Sequence, residues 1–162
     1  MIQIDQKALR LYALVMLPVA IAAAWFVFRS DRAPITGTAQ VPVGKVSVMV
    51  DGREFLAEVA DTVSLRELGL GGRDSLCSSC AMFFRFDTPG NYGFWMKGMR
   101  FPLDLAWIRD GEIVHVEQDV PEDSTRIMYP GKDATEVLET NAGALAGVRI
   151  GDRIEVRAVS ER

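Results

Sequence analysis

Hydrophobic and polar positions follow two regimes along this chain. Residues 11–28 carry no charge at all, whereas beyond Gly44 apolar and polar residues interleave in short stretches. As a helix the uncharged run would be about 27 Å long, close to the thickness of a bilayer's hydrocarbon core. Lys7 and Arg10 precede it, and Arg29 and Arg32 follow it. The pattern predicts one N-terminal transmembrane helix within residues 1–32. A cleavable signal peptide is the competing reading, because the basic start and Ala22-Ala23-Ala24 supply its parts. The apolar run continues past those alanines through Trp25-Phe26-Val27-Phe28, and Tyr12 and Trp25 suit the membrane interface, so the anchor is favoured. Pro18 is compatible with a membrane helix. The basic start places the N-terminus in the cytoplasm and the remaining chain on the extracytoplasmic side, periplasmic or outer, of the cell membrane.

Residues 33–44 are rich in Pro, Gly, Thr and Ala without a period of 2 or 3.6, as expected of a linker. Residues 45–158 then match one ordinary domain, and their pattern is mostly that of strands. Val46–Val50 and Glu54–Val59 flank Asp51-Gly52, a hairpin turn. Ala81–Phe86, Thr88-Pro89-Gly90-Asn91 and Phe94–Met96 read as a second hairpin. Leu103–Ile108 and Glu112–Glu117 form a third across Asp110-Gly111. Further strands are expected at Arg126–Tyr129, Thr135–Thr140 and Arg153–Val159. Asp61 or Thr62 can cap a short helix that runs to Leu68 and stops at Gly69, and Ala142–Gly147 can form one more turn. Short strands at this spacing predict a mainly β domain, a single sandwich or small barrel with one or two short helices.

Charge removes one class of function. The chain has 18 basic and 22 acidic residues, for a net charge of −4, and the basic pairs beside the apolar run lie outside the domain. No Lys/Arg cluster appears within residues 45–158, so nucleic acid is not an expected partner.

Arg66-Glu67-Leu68-Gly69-Leu70 with Arg73 and Leu76, then Met82-Phe83-Phe84-Arg85-Phe86, then Phe94-Trp95-Met96-Lys97 resemble successive blocks of domain-of-unknown-function family 192. Pro102-Leu103-Asp104, Asp110-Gly111, Val137-Leu138-Glu139, Asn141-Ala142-Gly143 and Gly151-Asp152 continue in that family's order and spacing. The resemblance implies a jelly-roll-like β domain, often exported or membrane-anchored, with no settled biochemical role. Two positions depart from the family pattern. Gly98-Met99 stands where Asn-Thr is usual, and Ala81 stands where Gly is usual.

Cys77 and Cys80 are the only cysteines. Outside the membrane a disulfide is the default for such a pair. A thioredoxin-type site needs a helix starting at the first cysteine, and here a strand-like Met-Phe-Phe stretch follows instead. Zinc requires four donors, which two cysteines and the distant His115 do not supply, so no metal or other cofactor is expected. His115 alternates with Val114 and Val116 and is expected to face solvent. No Gly-x-Ser-x-Gly elbow is present.

Lys97, Asp104 and Glu139 are ionisable residues set in strongly apolar runs. Each must point to solvent or find a partner, because an unpaired buried charge is costly. One reading makes them the polar contacts of a cleft, with Trp95 and Trp107 as stacking surfaces and Asn141 as an amide contact, a set that suits a sugar ring. The other is an ion pair of Lys97 with Asp104 or Glu139 that only sets strand register. Arg66 and Arg73 are expected to anchor the short helix to a nearby carboxylate, with binding of an anionic ligand as the alternative. The functional expectation is therefore a non-catalytic binding module for a saccharide or another cell-envelope component. The alternatives are a hydrolase using Asp104 and Glu139 as a carboxylate pair on a saccharide, or an accessory subunit offering a strand edge to an envelope complex.

Overall fold

The computed structural model describes residues 44–159. The expected anchor at 11–28 lies outside them, and no helix among the described residues is long and apolar enough to cross a membrane. Nine strands and one short helix follow in the order β1 (Lys45–Val50), β2 (Arg53–Ala60), α1 (Val63–Leu68), β3 (Cys80–Gly90), β4 (Phe94–Trp95), β5 (Leu103–Arg109), β6 (Glu112–Val120), β7 (Ile127–Met128), β8 (Ala134–Asn141) and β9 (Ile154–Ala158). Seven strands form one sheet in the order β6-β5-β8-β3-β2-β1-β9, and β4 pairs with β7 as a separate ribbon.

Local chemistry explains the tight turns and the helix. Asp51 and Gly52 both take positive φ (47° and 72°), as do Asp110 and Gly111 (53° and 73°). That geometry closes a two-residue hairpin with the natural strand twist, and Asp-Gly tolerates it. Helix α1 starts at Thr62, whose side chain accepts a hydrogen bond from the Leu65 N–H, and ends at Gly69 with φ 52°. Both features are the expected cap chemistry.

The mainly β expectation holds, with two corrections. All seven long strands lie in one sheet, not in the two facing sheets of a jelly-roll sandwich. That sheet curls into a half-barrel whose edges touch at one end, where Glu112 bridges Arg153 and the Ile113 N–H donates to the Asp152 carbonyl. The second hairpin does not form. Strand β3 runs parallel to β2 and antiparallel to β8, while Phe94-Trp95 leaves the sheet to pair with Ile127-Met128.

Curling gives the sheet two apolar faces. The concave interior holds Val48, Phe55, Phe83, Ile108, Ile113 and Leu138, closed by Leu145 and Val148 from the turn after β8. The convex face of β3, β5 and β8 carries Met82, Phe84, Leu105, Trp107 and Val137, covered by Leu70, Met96 and Met128. Because successive strand residues alternate faces, β3 buries Ala81-Met82-Phe83-Phe84 on both sides at once.

Cys77 and Cys80 form a disulfide with S–S 2.04 Å just ahead of β3. The loop is also held by Asn141, whose amide donates to the carbonyls of Leu76 (3.2 Å) and Cys77 (3.0 Å). Closing so short a loop is worth about 2 kcal/mol in the chain-entropy picture. Replacing both cysteines by serine is therefore expected to lower stability by at most about 2 kcal/mol and leave the fold intact. Urea melts of the variant and the parent protein check this, and loss of cooperative folding would contradict it.

Candidate functional site

One cross-strand row on the convex face organises the site. Glu58 of β2 pairs with Met82 of β3, Met82 with Glu139 of β8, Glu139 with Leu105 of β5, and Leu105 with Glu117 of β6. Three glutamates thus share a row, and two of them have arginine partners. Glu58 takes both hydrogen bonds of the Arg73 guanidinium at 2.8 Å, and Glu117 takes Arg126 at 2.7 and 3.2 Å. These guanidinium groups hold the Glu58 and Glu117 carboxyls below the usual range.

Glu139, between them, has no such partner. It is 6% exposed, and its Oε2 is buried without a hydrogen bond. Burial between apolar neighbours pushes its carboxyl up to about 8, against an opposing pull from the positive charge of Arg73. Near neutral pH it is therefore a neutral acid and a hydrogen-bond donor.

Glu139 lies at the floor of a cavity of about 280 Å³ between α1, the convex face and the β4 ribbon. Helix α1 contributes Val63, Arg66, Glu67 and Leu68, β3 contributes Phe84 and Phe86, and the following segment contributes Tyr92, Phe94, Trp95, Lys97 and Met99. The aromatic walls brace one another. Phe86 and Tyr92 stack at 3.6 Å, and Phe94 meets Phe84 and Trp107 edge-on at 4.9 and 5.7 Å. Arg66 is fixed over Phe86, 5.2 Å from the ring centre, by donating to the Asp61 and Arg85 carbonyls at 2.8 and 2.7 Å. Lys97 Nζ rests 5.2 Å from the centre of the Trp95 ring, and among the described residues it makes no ion pair.

The mouth is unusually apolar for an exposed surface. Val63, Leu68, Trp95, Ile127 and Tyr129 are each about half or more exposed. Ile127 pairs with Trp95 across the ribbon, and Tyr129 lies against Gly93, where a Cβ would come within 2.5 Å of its ring.

Of the residues singled out in the sequence, Trp95, Lys97 and Glu139 converge on this cavity, joined by Arg66. Asp104 does not. It pairs with Thr140, one residue beyond Glu139, and so projects from the opposite face of the sheet. There it accepts the Asp119 and Leu145 N–H groups, each at 2.8 Å. The carboxylate-pair arrangement of Asp104 with Glu139 is thereby excluded, because the two side chains are separated by the sheet itself. Lys97 is exposed, so the register-setting ion pair is also absent. Asn141 holds the disulfide loop, and Trp107 is fully buried beneath the cavity, donating its indole N–H to the Tyr92 carbonyl at 2.8 Å. Arg73 does anchor to a carboxylate, that of Glu58, whereas Arg66 anchors to the Asp61 and Arg85 backbone carbonyls instead. His115 is half-buried rather than solvent-facing, set edge-on to Trp107 at 5.2 Å and within 3.2 Å of Glu117. Glu67, Phe86 and Tyr92 also line the cavity, although nothing in the sequence singled them out as site residues. Their only sequence signal is position, in or next to the blocks already noted around Arg66, Phe84 and Lys97.

A family model described as uncharacterized ACR, COG1430, matches residues 46–156, most of the chain and nearly all of the described domain. The chain belongs to the DUF192 family. Two solved structures are similar to it. A protein from Sinorhizobium meliloti 1021, described as a suggested transcription regulator, is 30% identical with a TM-score of 0.64, covering 70% of this chain and 92% of that one. A protein of unknown function from Novosphingobium aromaticivorans DSM 12444 is 28% identical with a TM-score of 0.63, covering 70% of this chain and 84% of that one. No curated protein matches. Of the Gly98-Met99 pair, Met99 lines the cavity. Gly98, just before it, turns the chain with φ 79°, in the left-handed region that favours glycine. Met99 presents a thioether to the cavity wall.

Proposed function

We propose that this DUF192 domain is an envelope-associated binding module whose cavity takes a small saccharide-like ligand, one ring in size. The observation that carries the reading is the buried, unpartnered Glu139 carboxyl under aromatic walls. An orphaned polar atom of this kind costs free energy in the empty protein, and a ligand hydroxyl supplies the missing partner. Trp95 at the mouth offers an exposed ring face for stacking. The cavity sits near the lower end of the roughly 300–1,000 Å³ typical of ligand pockets, which favours one ring over a chain of rings.

The placement belongs to the same proposal. Residues 11–28 would hold the domain at the cell membrane on its extracytoplasmic side, where a disulfide such as Cys77–Cys80 persists. The acidic balance of the chain supports a ligand other than nucleic acid, although a similar structure carries a suggested regulator's description.

Saturation-transfer NMR with a panel of monosaccharides tests the reading. Contact is expected for at least one sugar, and Trp95→Ala is expected to weaken it roughly tenfold, the loss of one stacking face. Absence of contact for every sugar would overturn it.

One observation favours a second reading. A carboxyl held protonated near neutral pH is what a general acid requires. Glu139 has that character, and Glu67 supplies another carboxyl on the same cavity. Turnover of aryl glycosides that falls at least about a hundredfold in Glu139→Gln would establish this reading over binding alone.

A further inference from the structure

We infer that the ligand of this cavity is an acidic ring compound, a sugar acid in the simplest case, bound with its anionic group at Lys97 and a ring oxygen or hydroxyl at Glu139. The inference rests on the saccharide reading and adds the charge of the ligand. Besides the Tyr92 phenol, four ionisable side chains line the cavity: Arg66 and Glu67 from α1, Lys97 beyond β4, and Glu139 from β8. Arg73 acts on Glu139 from the side, with its own guanidinium already committed to Glu58. With Glu139 neutral, the two cations exceed the single carboxylate of Glu67.

Lys97 is the cation free to act. Neither cation makes an ion pair among the described residues, but Arg66 has its Nη1 committed to two backbone carbonyls, whereas the Lys97 ammonium makes no hydrogen bond to the described protein and rests over the Trp95 ring at the mouth. An ammonium over an aromatic ring still presents its N–H donors to a carboxylate or phosphate. A cationic ligand faces the opposite situation. To pair with Glu139 it must first displace a proton, and it would then sit in the combined field of Lys97, Arg66 and Arg73. The exposed apolar rim of Leu68 and Trp95 adds surface for the ring but no counter-charge for an amine.

Three hexoses of the same ring and different charge separate these possibilities: glucuronate, glucose and glucosamine, titrated into the full chain in detergent and followed by Trp fluorescence and ligand-observed NMR. Glucuronate is expected to bind roughly tenfold tighter than glucose, the worth of one charge-assisted contact, and glucosamine weaker than both. Lys97→Met is expected to bring glucuronate down to the level of glucose. Glucuronate affinity is expected to fall as the pH rises through about 8, because an ionised Glu139 repels the anion. Glu139→Gln, which keeps an N–H donor, is expected to retain binding and lose that pH dependence. Equal binding of glucuronate and glucose with a silent Lys97→Met would overturn the charge assignment and leave the saccharide reading standing. So would preferred binding of glucosamine accompanied by proton release below about pH 8, where the free protein still holds the Glu139 proton. If none of the three sugars binds, this inference and the saccharide reading fall together.

Discussion

Raising the pH from about 5 to about 9 is expected to cost this domain roughly 4 kcal/mol of stability through Glu139 alone. An unfolded chain ionises this carboxyl near its ordinary value of 4.5, whereas the folded protein retains the proton up to about 8. Between those two values the folded state binds one more proton than the unfolded state, so stability falls with pH and levels off above about 8. Arg73 is the charged group that acts on Glu139 and opposes the shift, while Arg66, Lys97 and Glu67 line the same cavity. Glu58 and Glu117 act with the opposite sign. Their carboxyls are lowered by Arg73 and Arg126, so their contribution is present above the ordinary carboxylate range and is lost as the pH falls through their folded values. Glu136, raised by its own burial, adds a slope of the same sign as Glu139. A comparison with Glu139→Gln isolates the single residue. The variant is expected to lack the Glu139 part of the decline and to exceed the parent protein in stability by a few kcal/mol at about pH 9. Urea unfolding at a series of pH values measures both curves. Parallel curves for the two proteins would show that Glu139 does not carry a buried proton.

Asp104→Ala is expected to destabilise the fold by roughly 3–5 kcal/mol, among the largest effects of any single substitution here. Asp104 is fully buried, and each of its oxygens accepts a backbone N–H at 2.8 Å. One donor is Asp119, a non-glycine residue with φ 52°, at the point where two residues of β6 oppose one of β5. That is a β-bulge, and the carboxylate supplies the hydrogen bond its N–H would otherwise lack. The other donor is Leu145, whose side chain closes the concave core. Removing the carboxylate leaves two N–H groups without partners and unties two separate segments. Asp104→Asn keeps one acceptor but turns an amide N–H toward a backbone donor, so it too is expected to destabilise. Denaturation midpoints of both variants give the magnitude. Because Asp104 and Glu139 occupy opposite faces of the sheet, the folded Asp104→Asn protein is expected to bind ligand as the parent does. A variant of normal stability with lost binding would reverse the assignment.

Much of the domain was legible from local patterns. The two Asp-Gly hairpins and the Thr62-to-Gly69 helix rest on interactions within a few residues, which turn and cap chemistry encode directly, and β7, β8 and β9 were legible as strand-like segments although their pairing partners are distant. Phe94-Trp95 was legible as a strand but not in its pairing. Its partner is Ile127-Met128, more than thirty residues away, and a turn-rich stretch after β3 resembled a hairpin closure. Lys97 and Glu139 were conspicuous because each breaks an apolar run, yet Asp104 broke one in the same way for a different reason.

The sequence by itself determined the family, the mainly β class, the uncharged segment at 11–28 and the residues that must be paid for if buried. The tertiary structure alone decided what those residues do. Asp104 and Glu139 have the same charge and similar apolar neighbours in sequence, but strand register assigns them to opposite faces of one curled sheet. On one face backbone N–H groups satisfy Asp104, and on the other no group of the protein reaches Glu139 Oε2. Register and curvature arise from long-range pairing, including the parallel β2–β3 contact, and such pairing follows from the packing of the whole sheet rather than from any short stretch of it.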